Sequence, residues 1–268
     1  SGLTEGPHSV VAAQVDLASN AGPDSAPRNF VVDLTAPAAP VITSPTSGSA
    51  TNDTTPTLSG TAEPGSTVQV FVDNQLVGTA TADGSGNWSH TLGTALPEGQ
   101  HELTTRAVDV AGNQSPPSMP VTVRVDTTAP AAPVITSPTM GSATADSTPT
   151  ISGTTEPGAT VAVVIDGAAP VTVTADASGV WTYSPPTALT EGTHSVSATA
   201  TDTAGNVGMA SPTVNFSVDT MAPGAPVITS PMNNAMTTTT PTFSGTAEAG
   251  SLVSIIIDGM TAATVLAD

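Results

Sequence analysis

The sequence predicts an all-β chain of tandem antiparallel β-sandwich modules, each about 93 residues long, and three observations lead there. The aspartates Asp33, Asp126 and Asp219 open the same string, V-D-x-T/M-A-P-x-A-P-V-I-T-S-P, at intervals of 93 residues. Between these strings apolar residues alternate with polar ones, the period of a half-buried strand. Gly (24) and Pro (25) interrupt every stretch, so no run keeps apolar residues at helical spacing.

The repeat defines the organisation. Gly60-Thr-Ala-Glu-Pro-Gly65 returns as Gly153-Thr-Thr-Glu-Pro-Gly158 and as Gly245-Thr-Ala-Glu-Ala-Gly250. Glu98-Gly-Gln-His101 returns as Glu191-Gly-Thr-His194 and is preceded by Glu5-Gly-Pro-His8. Asp109-Val-Ala-Gly-Asn113 matches Asp202-Thr-Ala-Gly-Asn206, and Trp88 matches Trp181. Residues 33–125 and 126–218 are then two complete modules. Residues 1–32 correspond to the C-terminal part of a preceding module and 219–268 to the N-terminal part of a following one. The chain reads as a piece of a longer tandem array. Completion of the two end pieces by one another, head to tail between chains, is the other reading.

Within a module the elements follow in order. Val68, Val70 and Val72 share one face of a strand, repeated by Val161, Val163 and Ile165 and by Val253, Ile255 and Ile257. Leu103, Thr105 and Ala107 alternate in a later strand, matched by Val196, Ala198 and Ala200. Val121, Val123 and Val125 close the module, matched by Val214, Phe216 and Val218. Turns separate these runs at Glu63-Pro-Gly, Asp73-Asn, Asp83-Gly-Ser-Gly, Pro97-Glu-Gly and Asp109-Val-Ala-Gly-Asn. Some seven short strands per module indicate an immunoglobulin-like antiparallel β-sandwich, with Trp88 and Trp181 supplying core bulk where antibody domains have a disulfide.

Composition excludes several functions. There are 22 acidic and 3 basic residues, a formal charge of −19, and no cysteine. Nucleic-acid binding needs cations to displace counterions, and only Arg28, Arg106 and Arg124 are available. Lysine and cysteine nucleophiles, thiolate metal sites and disulfides are excluded by residue type. No apolar run reaches the length of a membrane span.

The ordered set T-P-T-x-S-G-T-A-E-P-G, G-N-W or G-V-W, E-G-x-H, D-x-A-G-N and V-D-T-T-A-P resembles the bacterial Ig-like repeats of giant surface proteins and adhesins. The resemblance spans essentially the whole chain. It implies a protein secreted or held at the cell surface, built of many modules. It also implies, for calcium-dependent members, ions at the module junctions.

Strand alternation places the loops. If each strand reverses direction, the loops of Glu63, Asp83 and Asp109 lie at the end where Asp33 enters, and the loops of Asp53, Asp73 and Glu98 at the other. Asp33, Glu63 and Asp109 with Asn113 then gather at one junction, and Asp126, Glu156 and Asp202 with Asn206 at the next. Asp219 and Glu248 form a partial third set. Converging carboxylates without a cation repel, and Ca²⁺ with oxygen ligands would relieve this. The competing reading is structural: Asp and Asn in such turns bond nearby backbone N–H groups.

Other features have structural readings. Asp83-Gly-Ser-Gly-Asn87 lacks the bidentate glutamate of an EF-hand and reads as a hairpin turn. His8, His101 and His194 lie one per module, cannot converge on zinc, and occupy the start of a strand where other sandwiches place a corner tyrosine. No nucleophile-elbow motif occurs, and catalysis is not expected.

The leading functional expectation is a non-catalytic stalk of a secreted or cell-surface adhesin-like protein, with neighbouring modules of its own array as partners. Three alternatives stand beside it: a glycan- or partner-binding module, a spacer in a secreted enzyme, and a filament subunit whose end pieces complete one another.

Overall fold

The computed structural model describes residues 2–268. Every regular element among them is a strand, and the order of pairing makes tandem β-sandwiches. A pair, β1 (Gly6–Val10) and β2 (Arg28–Val32), precedes the first sandwich. That sandwich comprises β3 (Val41–Ser44), β4 (Ser49–Thr51), β5 (Thr57–Thr61), β6 (Thr67–Val72), β7 (Gln75–Thr81), β8 (Asn87–Thr91), β9 (Gly99–Val108) and β10 (Val121–Val125). One sheet has the order β3-β5-β8 and the facing sheet β4-β10-β9-β6-β7.

The second sandwich repeats this with β11 (Val134–Ser137), β12 (Ala143–Thr144), β13 (Ile151–Thr154), β14 (Thr160–Ile165), β15 (Val171–Thr174), β16 (Val180–Tyr183), β17 (Gly192–Thr201) and β18 (Val214–Val218). Its sheets run β11-β13-β16 and β12-β18-β17-β14-β15. The pairs β19 (Val227–Ser230) with β20 (Ser244–Thr246), and β21 (Leu252–Ile257) with β22 (Met260–Leu266), follow.

Each sandwich has eight strands rather than seven. The additional one arises because the first strand divides. Pro45 lacks the N–H the ladder would use, and a turn closes from Ser49 N–H to the Thr46 carbonyl. The chain then resumes on the opposite sheet, where β4 runs parallel to β10. A second difference concerns Asp83. Its loop joins β7 and β8, which belong to different sheets, so it is an inter-sheet turn and not a hairpin. The carboxylate of Asp83 accepts from the N–H groups of Ser85 and Asn87, which shapes that turn.

Alternation produces the core. Val68, Val70 and Val72 on β6 and Leu103, Thr105 and Ala107 on β9 are buried, as are Val121, Val123 and Val125 on β10. Trp88 and Trp181 fill the space between sheets. Full burial of each such aliphatic side chain contributes roughly 1.5–3 kcal/mol. Gly60 and Gly153 let the tryptophans in: a Cβ on Gly153 would lie 2.5 Å from the Trp181 ring and 2.3 Å from the Val134 carbonyl oxygen. No helix among the described residues is long and apolar enough to cross a membrane.

Candidate functional site: the module junctions

The long pair of β9 and β10 sets the geometry of each junction. Their antiparallel register ends at Gly99 opposite Val125. Glu98 and Asp126, one step beyond on each side, therefore leave the sheet together. The Asp126 N–H is still held by the Thr51 carbonyl at 2.9 Å. Glu98 reaches across to the linker, where its carboxylate accepts from the Thr127 N–H at 2.9 Å and from the Thr127 and Thr128 hydroxyls. These bonds, the Thr127 hydroxyl first, hold its carboxyl below the usual glutamate range. The Asp126 carboxylate accepts from Thr128 N–H at 3.1 Å and pairs with Arg124 at 3.1 Å.

The following module contacts the same linker from the other side. The Asp202-Thr-Ala-Gly-Asn206 loop is closed by its own aspartate, whose carboxylate accepts from the N–H groups of Ala204 and Asn206. The Asn206 amide then donates to Asp202 Oδ2 at 2.8 Å and to the Asp126 main-chain oxygen at 2.7 Å. Burial raises the Asp202 pKa, but the donors from Asn206 outweigh it and the net direction is down. The Asn52 N–H of the first module donates directly to the Ala204 carbonyl at 3.0 Å.

The preceding junction repeats the pattern. The Asn113 amide donates to the Asp33 main-chain oxygen at 3.0 Å and to Asp109 Oδ2 at 2.8 Å, and the Thr35 hydroxyl donates to Glu5 at 2.6 Å. The amide of Asn113 lowers the Asp109 pKa. At the third junction Glu191 accepts from the Thr220 N–H and hydroxyl, and Met221 N–H donates to Asp219 at 3.1 Å.

The expected groupings are thus met in part. Asp33 meets the Asp109–Asn113 loop, and Asp126 meets the Asp202–Asn206 loop, but through a main-chain oxygen and an amide. Asp126 and Glu156 line one cleft together with Glu98, while Asp202 is turned into its own loop. Glu63 and Glu248 each accept, through their carbonyls, from the Ser66 and Ser251 N–H groups of their own turns. Among the described residues no group of three or more His, Asp or Glu side chains is placed to hold a metal ion. Donors occupy the carboxylates of Asp109, Asp126 and Asp202 and one oxygen each of Asp33 and Asp219, whereas the carboxylates of Glu63, Glu156 and Glu248 accept no hydrogen bond among the described residues. The contribution of Glu5, Glu98 and Glu191 was not expected. Their constant offset of 29 or 30 residues from the linker threonines carried the signal.

The histidines have structural partners. His101 faces Asp73 Oδ2 at 2.7 Å through Nδ1 and donates from Nε2 to the Pro97 carbonyl at 2.9 Å. His194 does the same with Asp166 and Thr190. Ser195 also lies beside Asp166, but its hydroxyl donates to the carboxylate and not to the imidazole, so no activated nucleophile results. The matching position in the first module is Glu102.

Bacillopeptidase F of Bacillus subtilis is 33% identical over 187 residues, which are 68% of this chain but 12% of that protein. Fibronectin(III)-like modules of Clostridium thermocellum CbhA superpose with a TM-score of 0.48 at 19% identity, covering 67% of this chain and 93% of that one. A tetra-tandem repeat from the extending region of a large adhesion protein gives a TM-score of 0.31 at 25% identity, covering 84% and 60%. The bacterial Ig-like domain family matches residues 43–127 and 137–220, one match for each complete sandwich, and the chain belongs to that family.

Proposed function

We propose that the chain is a non-catalytic spacer segment of a larger secreted or cell-surface protein, holding another part of that protein at a distance. One observation carries the reading: the linkers at Asp33 and Asp126 are each gripped by the module before and the module after, and the glutamate grip recurs on the linker at Asp219 with the 93-residue repeat. A spacer needs this repetition, because each module must set the direction of the next. The charge of −19 supports the same role by keeping neighbouring copies apart. A glycan site would need exposed aromatic rings to stack on, whereas Trp88 and Trp181 are 3% and 1% exposed.

Small-angle scattering of the 268-residue chain tests the reading. A spacer gives a maximum dimension that grows by a constant increment when one 93-residue module is added to the chain. A dimension that stays constant, because modules fold back on one another, would remove it.

A second reading is favoured by the identity to Bacillopeptidase F: the spacer would then belong to a secreted hydrolytic enzyme. The chain spans about one eighth of that relative, so any peptidase activity would lie in the rest of the protein. Assay of this chain alone on casein is expected to show no hydrolysis.

A further inference from the structure

We propose that each linker is locked by a two-sided clasp that needs no metal: the glutamate of one module's E-G-x-H turn holds the threonine after the linker aspartate, and the asparagine of the next module's D-x-A-G-N loop holds the aspartate's main-chain oxygen. The proposal rests on the spacer reading and says what fixes the spacer's geometry.

The two grips fall on adjacent residues. From Asp126 to Thr127 the main-chain groups are used in strict alternation between modules. Asp126 N–H goes to Thr51 of the first sandwich, Asp126 C=O to Asn206 of the second, and Thr127 N–H to Glu98 of the first. A rotation of one module against the other moves these peptide units and breaks at least one bond. The Asn52 to Ala204 bond ties the modules a third time without passing through the linker. Gly208 supports the close approach, since a Cβ there would lie 2.4 Å from the Pro130 oxygen.

The chemistry favours hydrogen bonds over a cation. Both partners of the Asn206 amide, Asp202 Oδ2 and the Asp126 carbonyl, are pure acceptors, so the NH₂ group must face them. The nitrogen therefore stands where a ligating oxygen would have to point. Asn113 is held in the same way by Asp109 and Asp33. Glu98 gathers three donors on one carboxylate, and bonds to an ionised acceptor are the stronger kind. Glu5 holds the Thr35 hydroxyl and Glu191 holds Thr220, so the glutamate half of the clasp recurs at all three junctions and the asparagine half at the two that a complete module follows.

The chain has no cysteine, so spin labels can be placed at will. Thr79→Cys and Thr172→Cys put one label on an exposed strand position in each complete sandwich. Electron–electron distance measurement on the full chain in EDTA is expected to give one narrow distribution, unchanged by millimolar Ca²⁺. Glu98→Ala and Asn206→Ala are each expected to lose that narrow peak. Thermal unfolding followed by Trp fluorescence checks integrity. If Asn206→Ala unfolds its module, Glu98→Ala alone decides, because Glu98 is exposed. A wild-type distribution that is broad in EDTA and narrows with Ca²⁺ would overturn the clasp, as would variants as narrow as wild type. The mean distance reports separately on the spacer reading: folded-back modules would defeat that reading, whatever the width.

Discussion

The side-chain amide of Asn206 donates to the main-chain oxygen of Asp126, 80 residues earlier, at 2.7 Å. Asn113 makes the matching bond to Asp33 across the same separation. A loop of one module thus closes on the point where that module receives the chain from its predecessor. The bond is local in space and remote in sequence, and it exists because β17 returns the chain to the end at which the linker enters.

Replacing Asn206 by aspartate should be worse than replacing it by alanine. Alanine removes a donor and leaves two acceptors unmet, at a cost of about 1–3 kcal/mol. Aspartate keeps the size but sets a carboxylate against Asp202 and the Asp126 oxygen, adding repulsion in a buried position. Urea unfolding of the two variants at pH 7 measures the order, and equal stabilities would refute it.

Stability should fall as pH rises through the neutral range. Burial disfavours the charged form of His101, but Asp73 and the Pro97 carbonyl outweigh it and raise its pKa. Asp166 does the same for His194, with help from the Thr190 carbonyl. Both ring nitrogens face acceptors, so the imidazolium is the form the fold prefers. A raised folded pKa contributes stability that is complete below the unfolded value, about 6.5, and is lost as pH climbs through the folded value. Asp73 and Asp166 are lowered instead, so their contribution is present above the usual aspartate range and is lost in acid. The expected profile is a maximum on the mildly acidic side of neutrality. A denaturation series from pH 4 to pH 9 locates it, and the double variant His101→Asn, His194→Asn should lose the alkaline limb.

Gly153→Ala should cost about 3 kcal/mol or more. The added methyl would meet the Trp181 ring at 2.5 Å and a backbone carbonyl at 2.3 Å, and neither can move without opening the sandwich. Gly65→Ala provides a contrast, since its Cβ would meet nothing, though its φ of +79° is a residual strain. Thermal unfolding should rank Gly153→Ala well below Gly65→Ala.

Tryptophan emission should be blue-shifted and resist acrylamide. Trp88 and Trp181 are the two tryptophans, and both lie between sheets. Ready quenching in the folded chain would show a ring at the surface and would favour a ligand-binding module over a spacer.

Much of the fold was legible in the sequence because strand burial has a period of two. Val68, Val70 and Val72 announce a strand and its inner face without reference to any other residue, and the 93-residue repeat confirms each strand by its copy. The division of the first strand was not legible, since which sheet β4 joins depends on its parallel partner β10, some 70 residues away. The turn at Asp83 misled for a related reason. A Gly-rich turn between two strand patterns looks the same whether the strands share a sheet or face one another.

The junction shows where the division falls. The sequence by itself determined that the loops of Asp109 and Asp202 meet the linker, because alternating strand direction puts them at the entry end. It also determined that carboxylates and asparagines would be there. Only the tertiary structure decided which atoms meet. Asp202 faces inward because the N–H groups of its own loop satisfy it, the asparagine amide turns outward to the linker, and Glu98 arrives from the preceding module. Hydrogen bonds are fixed by orientation at the scale of a single bond rotation, and no residue pattern specifies that before the sheets have packed.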